Sequence, residues 1–196
     1  MLHIVDDEDV IRDALAWLAQ SRSLEARGYA GGQAFLDAVA APGAPDANGD
    51  CVLLDVRMPD MNGIAVFDQL VKNGLIGRMP VIFLTGHGDV PMAVDSLKRG
   101  AFDFFEKPFN DNQLMDRVVE ALAASRQAAA SNAVRARLAT LSMREREVLD
   151  LILAGNMNKV VADKLGISMR TVEVHRAHIF DKMQVKTAVE LAGLLK

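Results

Sequence analysis

Three aspartates, a threonine and a lysine stand where apolar runs end. Leu2-His3-Ile4-Val5 gives way to Asp6-Asp7, and Cys51-Val52-Leu53-Leu54 to Asp55. Val81-Ile82-Phe83-Leu84 gives way to Thr85-Gly86, and Phe102 to Phe105 to Glu106-Lys107-Pro108. Together these groups suit magnesium-assisted phosphoryl transfer onto a carboxylate. A carboxylate in water is a poor phosphoryl acceptor, because its charge repels the incoming dianion. Mg2+ removes that barrier and takes hard oxygen ligands, usually one or two carboxylates with waters and phosphate oxygens. Asp6, Asp7 and Asp55 supply the carboxylates. The transferring group spreads its charge over three equatorial oxygens. The metal can take one, the Lys107 ammonium a second, and the Thr85 hydroxyl with a nearby backbone N–H the third. Gly86 has no side chain to obstruct the approach. A cis bond before Pro108 would aim the lysine. Any one of these residues alone reads as a turn, a cap or a surface charge; Asp6-Asp7, for instance, suits a helix start favoured by the macrodipole. Their order at four strand ends carries the chemistry.

Those strand ends need a parallel sheet to bring them together. Short β-branched and apolar runs alternate with helical patterns, which predicts an α/β unit with its crevice beyond the carboxyl ends of the strands. Apolar residues recur at helical spacing over 9–20 (Val10, Ile11, Ala14, Leu15, Leu18). A weaker strand is expected at 24–29 and a helix at 33–40. Residues 41–50, rich in Pro, Gly, Asn and Asp, read as a loop. Further helices are expected at 64–72, ended by Asn73-Gly74, and at 90–99, stopped by Gly100. The last helix of this part starts near Asn110, where Asn110 and Gln113 resemble a capping box. The count is five strands and five helices. Residues 121–140 are rich in alanine and lack Gly and Pro, so the last helix is expected to run on as a semi-rigid linker.

From residue 141 the strand pattern disappears. Ser142 and Glu145 form a capping box that opens a helix through Val148, Leu149, Ile152 and Leu153. Asn158 is expected to cap a short helix holding Val160, Val161 and Leu165. Gly166 makes a turn, and Ser168 caps a longer helix through Val172, Ile179 and Met183. A short final helix is expected at 187–195. Two helices joined by a tight glycine turn fit a helix-turn-helix.

Charge divides at the same place. Residues 1–125 hold 19 acidic and 10 basic side chains, a balance of −9, whereas 126–196 hold 7 and 12, a balance of +5. The basic second part suits nucleic acid. The hydrophobic share, 51%, argues against disorder. No apolar stretch reaches spanning length and no charged leader precedes the first strand, so neither a membrane segment nor a signal peptide is expected. Cys51, the single cysteine, is expected to pack a buried strand in a reduced, cytoplasmic protein.

Residues 1–122 resemble the receiver domain of two-component response regulators. The marks are Val5-Asp6-Asp7-Glu8, Leu54-Asp55-Val56-Arg57-Met58-Pro59 with Gly63, Leu84-Thr85-Gly86-His87-Gly88, and Glu106-Lys107-Pro108-Phe109. The resemblance implies a doubly wound, flavodoxin-like sheet of five parallel strands. It makes Asp55 the phosphoacceptor. It has Asp7, Asp55 and the Arg57 carbonyl bind Mg2+ directly, with Asp6 acting mainly through water. Thr85, Gly86 and Lys107 then meet the phosphoryl group. The family's aromatic switch falls on Phe104, which lacks a tyrosine hydroxyl, so that switch would be steric. Arg57 and His87 stand where the family tunes acyl-phosphate lifetime.

Residues 141–196 resemble the LuxR-type helix-turn-helix domain, an all-α fold, with 123–140 as the linker. The marks are Leu141-Ser142-x-Arg144-Glu145-x-Glu147-Val148-Leu149, Gly155-x-x-Asn158-Lys159 and Ile167-Ser168-x-x-Thr171-Val172-Glu173-Val174-His175. Together the two parts resemble the FixJ/NarL family of transcription regulators. On the helix after Ser168, Val172, Ile179 and Met183 share the face to be buried. Arg170, Glu173, Val174 and Ala177 lie toward the other, which suits the major groove. Glu173 could accept from a cytosine amino group, and Val174 and Ala177 could touch thymine methyls. Lys159, Arg170, Thr171 and Arg176 suit phosphates. His175 is expected to pack and His178 to be exposed. Many relatives carry lysine where this chain has Glu173 and Ala177, so no known base code transfers.

The resulting expectation is a regulator switched by phosphorylation. A sensor histidine kinase donates phosphate to Asp55, the chain forms a homodimer, and promoter DNA is bound, with RNA polymerase as a candidate contact. No enzyme activity is expected beyond assistance to its own phosphorylation and dephosphorylation. The alternative is a DNA-binding regulator controlled at the receiver-like part by a partner protein or ligand, without phosphorylation. A phosphohydrolase would want a second acid two residues past its nucleophile, where Arg57 stands. A nucleotide-dependent oxidoreductase would want a glycine-rich turn where Asp6-Asp7-Glu8-Asp9 stands.

Overall fold

The computed structural model describes residues 1–40, 49–86 and 90–195; for 90–93 it describes the backbone alone. In chain order the elements are β1 (Leu2–Val5), α1 (Asp9–Ser21), β2 (Ala26–Tyr29), α2 (Gly32–Val39), β3 (Cys51–Asp55), α3 (Gly63–Lys72), β4 (Val81–Thr85), α4 (Val90–Lys98), β5 (Asp103–Glu106) and α5 (Asp111–Ala139). Four helices follow, α6 (Met143–Leu153), α7 (Asn158–Leu165), α8 (Met169–Met183) and α9 (Ala188–Leu194). The chain divides into two compact units, Met1–Ala129 and Ala130–Lys196, and α5 contributes to both. Among the described residues no helix is long and apolar enough to cross a membrane.

The first unit is a five-stranded parallel sheet in the order β2-β1-β3-β4-β5. Successive side chains of a strand point to opposite faces, and both faces here are covered, so the central strands are apolar throughout. Val52, Leu54, Val81 and Phe83 pack with Phe35 and Val39 of α2 and with Val66, Phe67 and Leu70 of α3. Their neighbours Cys51, Leu53, Ile82 and Leu84 pack on the other face with Leu15 and Ala19 of α1 and with Leu114, Met115, Val118 and Leu122 of α5. Cys51 is a free thiol with no exposure, and burial pushes its pKa up. The polar group His3 is admitted under the sheet because both ring nitrogens find partners, the Tyr29 hydroxyl at 3.0 Å and Asp50 Oδ1 at 3.1 Å.

Most expected boundaries move by a residue or so, and two of the differences have a clear local cause. The second strand starts at Ala26 rather than residue 24, because the Leu24 N–H still bonds back to the Ala19 carbonyl at 2.9 Å. Ser23 takes a left-handed conformation, φ 57, to end α1. The α7 N-cap is Met157, not Asn158. Asn158 is the first helical residue, and its side-chain oxygen accepts from Arg176 Nη1 at 3.0 Å. At the start of α5, the Gln113 N–H donates to Asn110 Oδ1 at 3.1 Å, as a cap requires. Residues 41–48, most of the expected loop, lie outside the described residues, as do His87 and Gly88.

The second unit packs Val148, Leu149, Val161, Val172, Ile179, Met183 and Leu191 into one core. Val134 and Leu138 of α5 pack against that core. Arg137 Nη1 donates to the Met183 carbonyl at 3.3 Å, at the negative end of α8. The α6 capping box is complete. Ser142 Oγ accepts from the Glu145 N–H at 3.2 Å, and Glu145 Oε2 accepts from the Ser142 N–H at 2.7 Å. Lys182 Nζ reaches the same carboxylate at 2.7 Å. The Lys182 bond first, then the Ser142 N–H, hold the Glu145 pKa down at about 2. Gly166 ends α7 with φ 63, a left-handed turn that glycine adopts without strain, and Ser168 caps α8 by accepting from the Thr171 N–H.

Two outcomes follow from these packings. A Cβ at Gly63 would lie 2.2 Å from the Asp55 carbonyl oxygen, a backbone atom that cannot rotate away. Gly63→Ala is therefore expected to destabilise the sheet unit by about 1–3 kcal/mol, read from denaturant unfolding; unchanged stability would remove this constraint. In the second unit, Glu145 has a folded pKa below its ordinary 4.5, so its stabilisation is full above that value and is lost as pH falls through about 2. The stability gap between the parent and Glu145→Gln is expected to close as pH drops across that window. A gap of constant size would contradict it.

Candidate functional site

In doubly wound sheets the crevice opens where the strand order reverses, here between β1 and β3. Asp6 follows β1 with no exposed surface, and Asp55 ends β3 at 6% exposure. Lys107, one residue past β5, lays its ammonium between them, 2.9 Å from Asp6 Oδ2 and 2.6 Å from Asp55 Oδ1. Its backbone N–H donates to the Thr85 carbonyl at 2.8 Å, which ties the ends of β4 and β5. The Lys107–Pro108 peptide is cis. Each carboxylate is also held by its own loop. Asp6 Oδ1 accepts from the Glu8 N–H at 2.9 Å, and Asp55 Oδ2 from the Arg57 N–H at 2.7 Å.

The electrostatics are set by burial and by crowding of like charge. Burial pushes the Asp55 pKa up, and the Asp6 charge adds to that; the Lys107 bonds and the Arg57 N–H pull the other way without cancelling it. Burial also pushes the Lys107 pKa down, but its bonds to Asp55 and Asp6 outweigh that and leave it raised. Lys107 is thus a firm cation at neutral pH, beside a carboxylate that is costly to keep charged.

The remaining expected residues are placed less uniformly. Thr85 is buried beside the crevice, with its hydroxyl donating to the Gly86 carbonyl at 2.9 Å. Phe104 is half-buried against the α2–α3 core. Asp7 is exposed and does not join the Asp6–Lys107–Asp55 cluster. Among the described residues, no three carboxylate, imidazole or thiol groups form a metal cage. Mg2+ seldom uses one; it takes one or two carboxylates and keeps its waters. The carboxylates of Asp6 and Asp55 already share one cation, the Lys107 ammonium, so the donor set fits a hard cation bound at the same pair.

Arg12 is the group here that no sequence signal reveals. Its Nη1 donates to the Asp6 carbonyl at 2.7 Å. It lies on the first turns of α1, and only the helix geometry, which leans side chains toward the N-terminus, sends it back to the crevice.

The second unit presents a face of a different kind. On α8, Met169, Arg170, Glu173, Val174, Ala177 and His178 are exposed, while Val172, Ile179 and Met183 are buried. His175 is half-buried, as its position between Val172 and Ile179 requires. Lys159 is exposed at the start of α7. Two residues expected at phosphates have local partners. Arg176 bonds Asn158, and its guanidinium carbon lies 5.5 Å from the Phe180 ring centroid. The Thr171 hydroxyl lies 2.8 Å from the Ser168 hydroxyl within the α8 cap.

Comparison with known proteins agrees with both halves. Residues 2–119 match the response regulator receiver domain, and 139–195 match the bacterial regulatory proteins of the luxR family. The chain is 49% identical to the C4-dicarboxylate transport transcriptional regulatory protein DctR of Rhodobacter capsulatus, over 98% of each chain. It is 42% identical to the transcriptional regulatory protein FixJ of Rhizobium meliloti, over 98% of this chain and 93% of that one. Among solved structures, the response regulator StyR matches with a TM-score of 0.71 and 34% identity, over 99% of this chain and 96% of that one. The chain therefore belongs to the response regulators of the FixJ/NarL family, two-component transcription regulators that join a receiver domain to a LuxR-type helix-turn-helix.

Proposed function

We propose that Asp55 is the phosphoacceptor of this regulator and that a sensor histidine kinase is its donor. The observation that carries this is the Lys107 ammonium bridging Asp55 and Asp6 at the strand-order reversal. Asp55 is the acceptor because its carboxylate is buried, raised in pKa and anchored by the Arg57 N–H through one oxygen. That leaves Oδ1, now on Lys107, as the atom that forms the new O–P bond while the N–P bond of the kinase's phosphohistidine breaks and its imidazole leaves. As the phosphoryl group arrives, Lys107 keeps its charge and moves from the carboxylate to a phosphoryl oxygen. The Thr85 hydroxyl, released from the Gly86 carbonyl, turns to another. Mg2+ held by Asp7, Asp55 and the Arg57 carbonyl, with Asp6 acting mainly through water, would supply the positive charge that lets two anions meet.

Moving Thr85 inward frees space that Phe104 enters by rotation, a steric change with no hydroxyl to anchor it. Phosphorylation thereby alters the surface around α4, β5 and α5, which then dimerises, or releases the C-terminal domain, or both. Promoter DNA is the output ligand. The exposed face of α8 enters the major groove, with Lys159, Arg170, Thr171 and Arg176 on phosphates, and Glu173, Val174 and Ala177 toward the bases. Contact with RNA polymerase would follow from binding at a promoter. Arg176, positioned by Asn158 through Nη1, keeps its other guanidinium N–H groups for a phosphate.

Incubation with Mg2+ and a small acyl-phosphate donor is expected to add one phosphate to the parent chain and none to Asp55→Asn, read by intact mass. Sizing of the same samples is expected to show dimers only in the phosphorylated parent. Failure of the parent to gain mass from acyl phosphate or from a kinase donor sinks the switch, and a gain in Asp55→Asn moves the acceptor elsewhere. For the output unit, Lys159→Ala is expected to weaken binding to all duplexes alike and to lower the salt slope of log K by about 1. An unchanged slope would take Lys159 off the phosphates.

A further inference from the structure

Glu173 stands in the middle of the exposed face of α8 with no ion pair among the described residues. The charged contacts of this unit are Arg144–Glu147, Lys182–Glu145 and the approach of His178 to Glu145. A glutamate with an arginine three residues later can pair with it on a helix surface. Arg176 is that arginine, and it is engaged elsewhere, with Nη1 on Asn158 Oδ1 at 3.0 Å and its guanidinium over Phe180. Arg170, three residues earlier, does not close on Glu173 either.

A bare carboxylate on a face that meets DNA is repelled by every phosphate it approaches. It becomes favourable only where a base offers it a hydrogen. In the major groove the donors are cytosine N4 and adenine N6. Adenine presents the N7 acceptor beside its amino group, and that lone pair repels a carboxylate. Cytosine presents the amino group without such a neighbour. Val174 and Ala177, which follow it on the exposed side of α8, are apolar and suit thymine methyls.

We infer that Glu173 is the specificity-determining residue of this chain, accepting from the N4 amino group of a cytosine in each half-site. Arg176, held on Asn158, leaves the carboxylate free for that contact. The inference rests on the proposed docking of α8 in the major groove. It makes Glu173 work by exclusion as much as by attraction, since its charge weakens binding wherever the cytosine is missing.

Selection from a random-sequence duplex library tests it, using the full chain after acyl-phosphate treatment, with Glu173→Gln and Glu173→Ala in parallel. Both substitutions are on an exposed position, and circular dichroism checks that the fold is kept. The parent is expected to enrich a motif with a fixed cytosine, preferred about tenfold or more over other bases. Glu173→Gln is expected to move that one position toward adenine, because an amide both donates and accepts and so matches N7 with N6. Glu173→Ala is expected to lose the preference there, keep the rest of the motif, and bind unrelated duplex more tightly than the parent. A parent motif that neither substitution changes overturns this inference and leaves DNA binding intact. A parent chain that enriches no motif overturns the sequence-specific DNA-binding reading, and this inference with it.

Discussion

Two buried carboxylates and one ammonium determine what the sheet unit must do. Asp6 and Asp55 lie close enough to share Lys107, and neither charge is well solvated. Removing the lysine would leave like charges facing each other with little water between them, which is a costly state for a protein interior. The rest of the unit keeps the three groups in place. Parallel pairing of β1 with β3 sets the two aspartates side by side. Pairing of β4 with β5, extended by the Lys107 N–H on the Thr85 carbonyl, delivers the lysine. Gly63 lets α3 start directly against the Asp55 carbonyl, where any side chain would collide. Arg12 fixes the Asp6 main chain from the other side.

Much of this was legible from residue types alone. The four strand ends, the switch of hydrophobic period from strands to helices, and the caps at Ser142 and Ser168 are local signals with local physical causes. They foretold a parallel sheet, the convergence of Asp6, Asp55 and Lys107, and a helix-turn-helix. What escaped depends on distance through space. Nothing near Arg12 in the chain says that it returns to Asp6. Nothing near Arg176 says that it will bond Asn158, or that Asn158 is helical rather than a cap. The exposure of Asp7 also depends on how the β1–α1 loop turns, which composition does not encode.

The helical unit solves a problem of its own. It is small, and its core is supplemented by Val134 and Leu138 from α5. Glu145 then joins three tasks in one carboxylate, capping α6, pairing with Lys182 near the end of α8, and lying within 3.9 Å of His178. A buried carboxylate is tolerable there because the Ser142 N–H and the Lys182 ammonium both donate to it. The result is that the far end of α8 is anchored by charge while its outer face stays open.

Cys51 adds a consequence of another kind. The reactive form of a cysteine is the thiolate, and this thiol is sealed within β3, four residues before Asp55, with its pKa pushed up by burial. It can meet a reagent only when the central strand parts from its neighbours. The rate at which the thiol is alkylated therefore counts openings of the sheet, in the unaltered chain and without an added probe. The strand that carries the proposed acceptor thus comes with its own stopwatch for local unfolding.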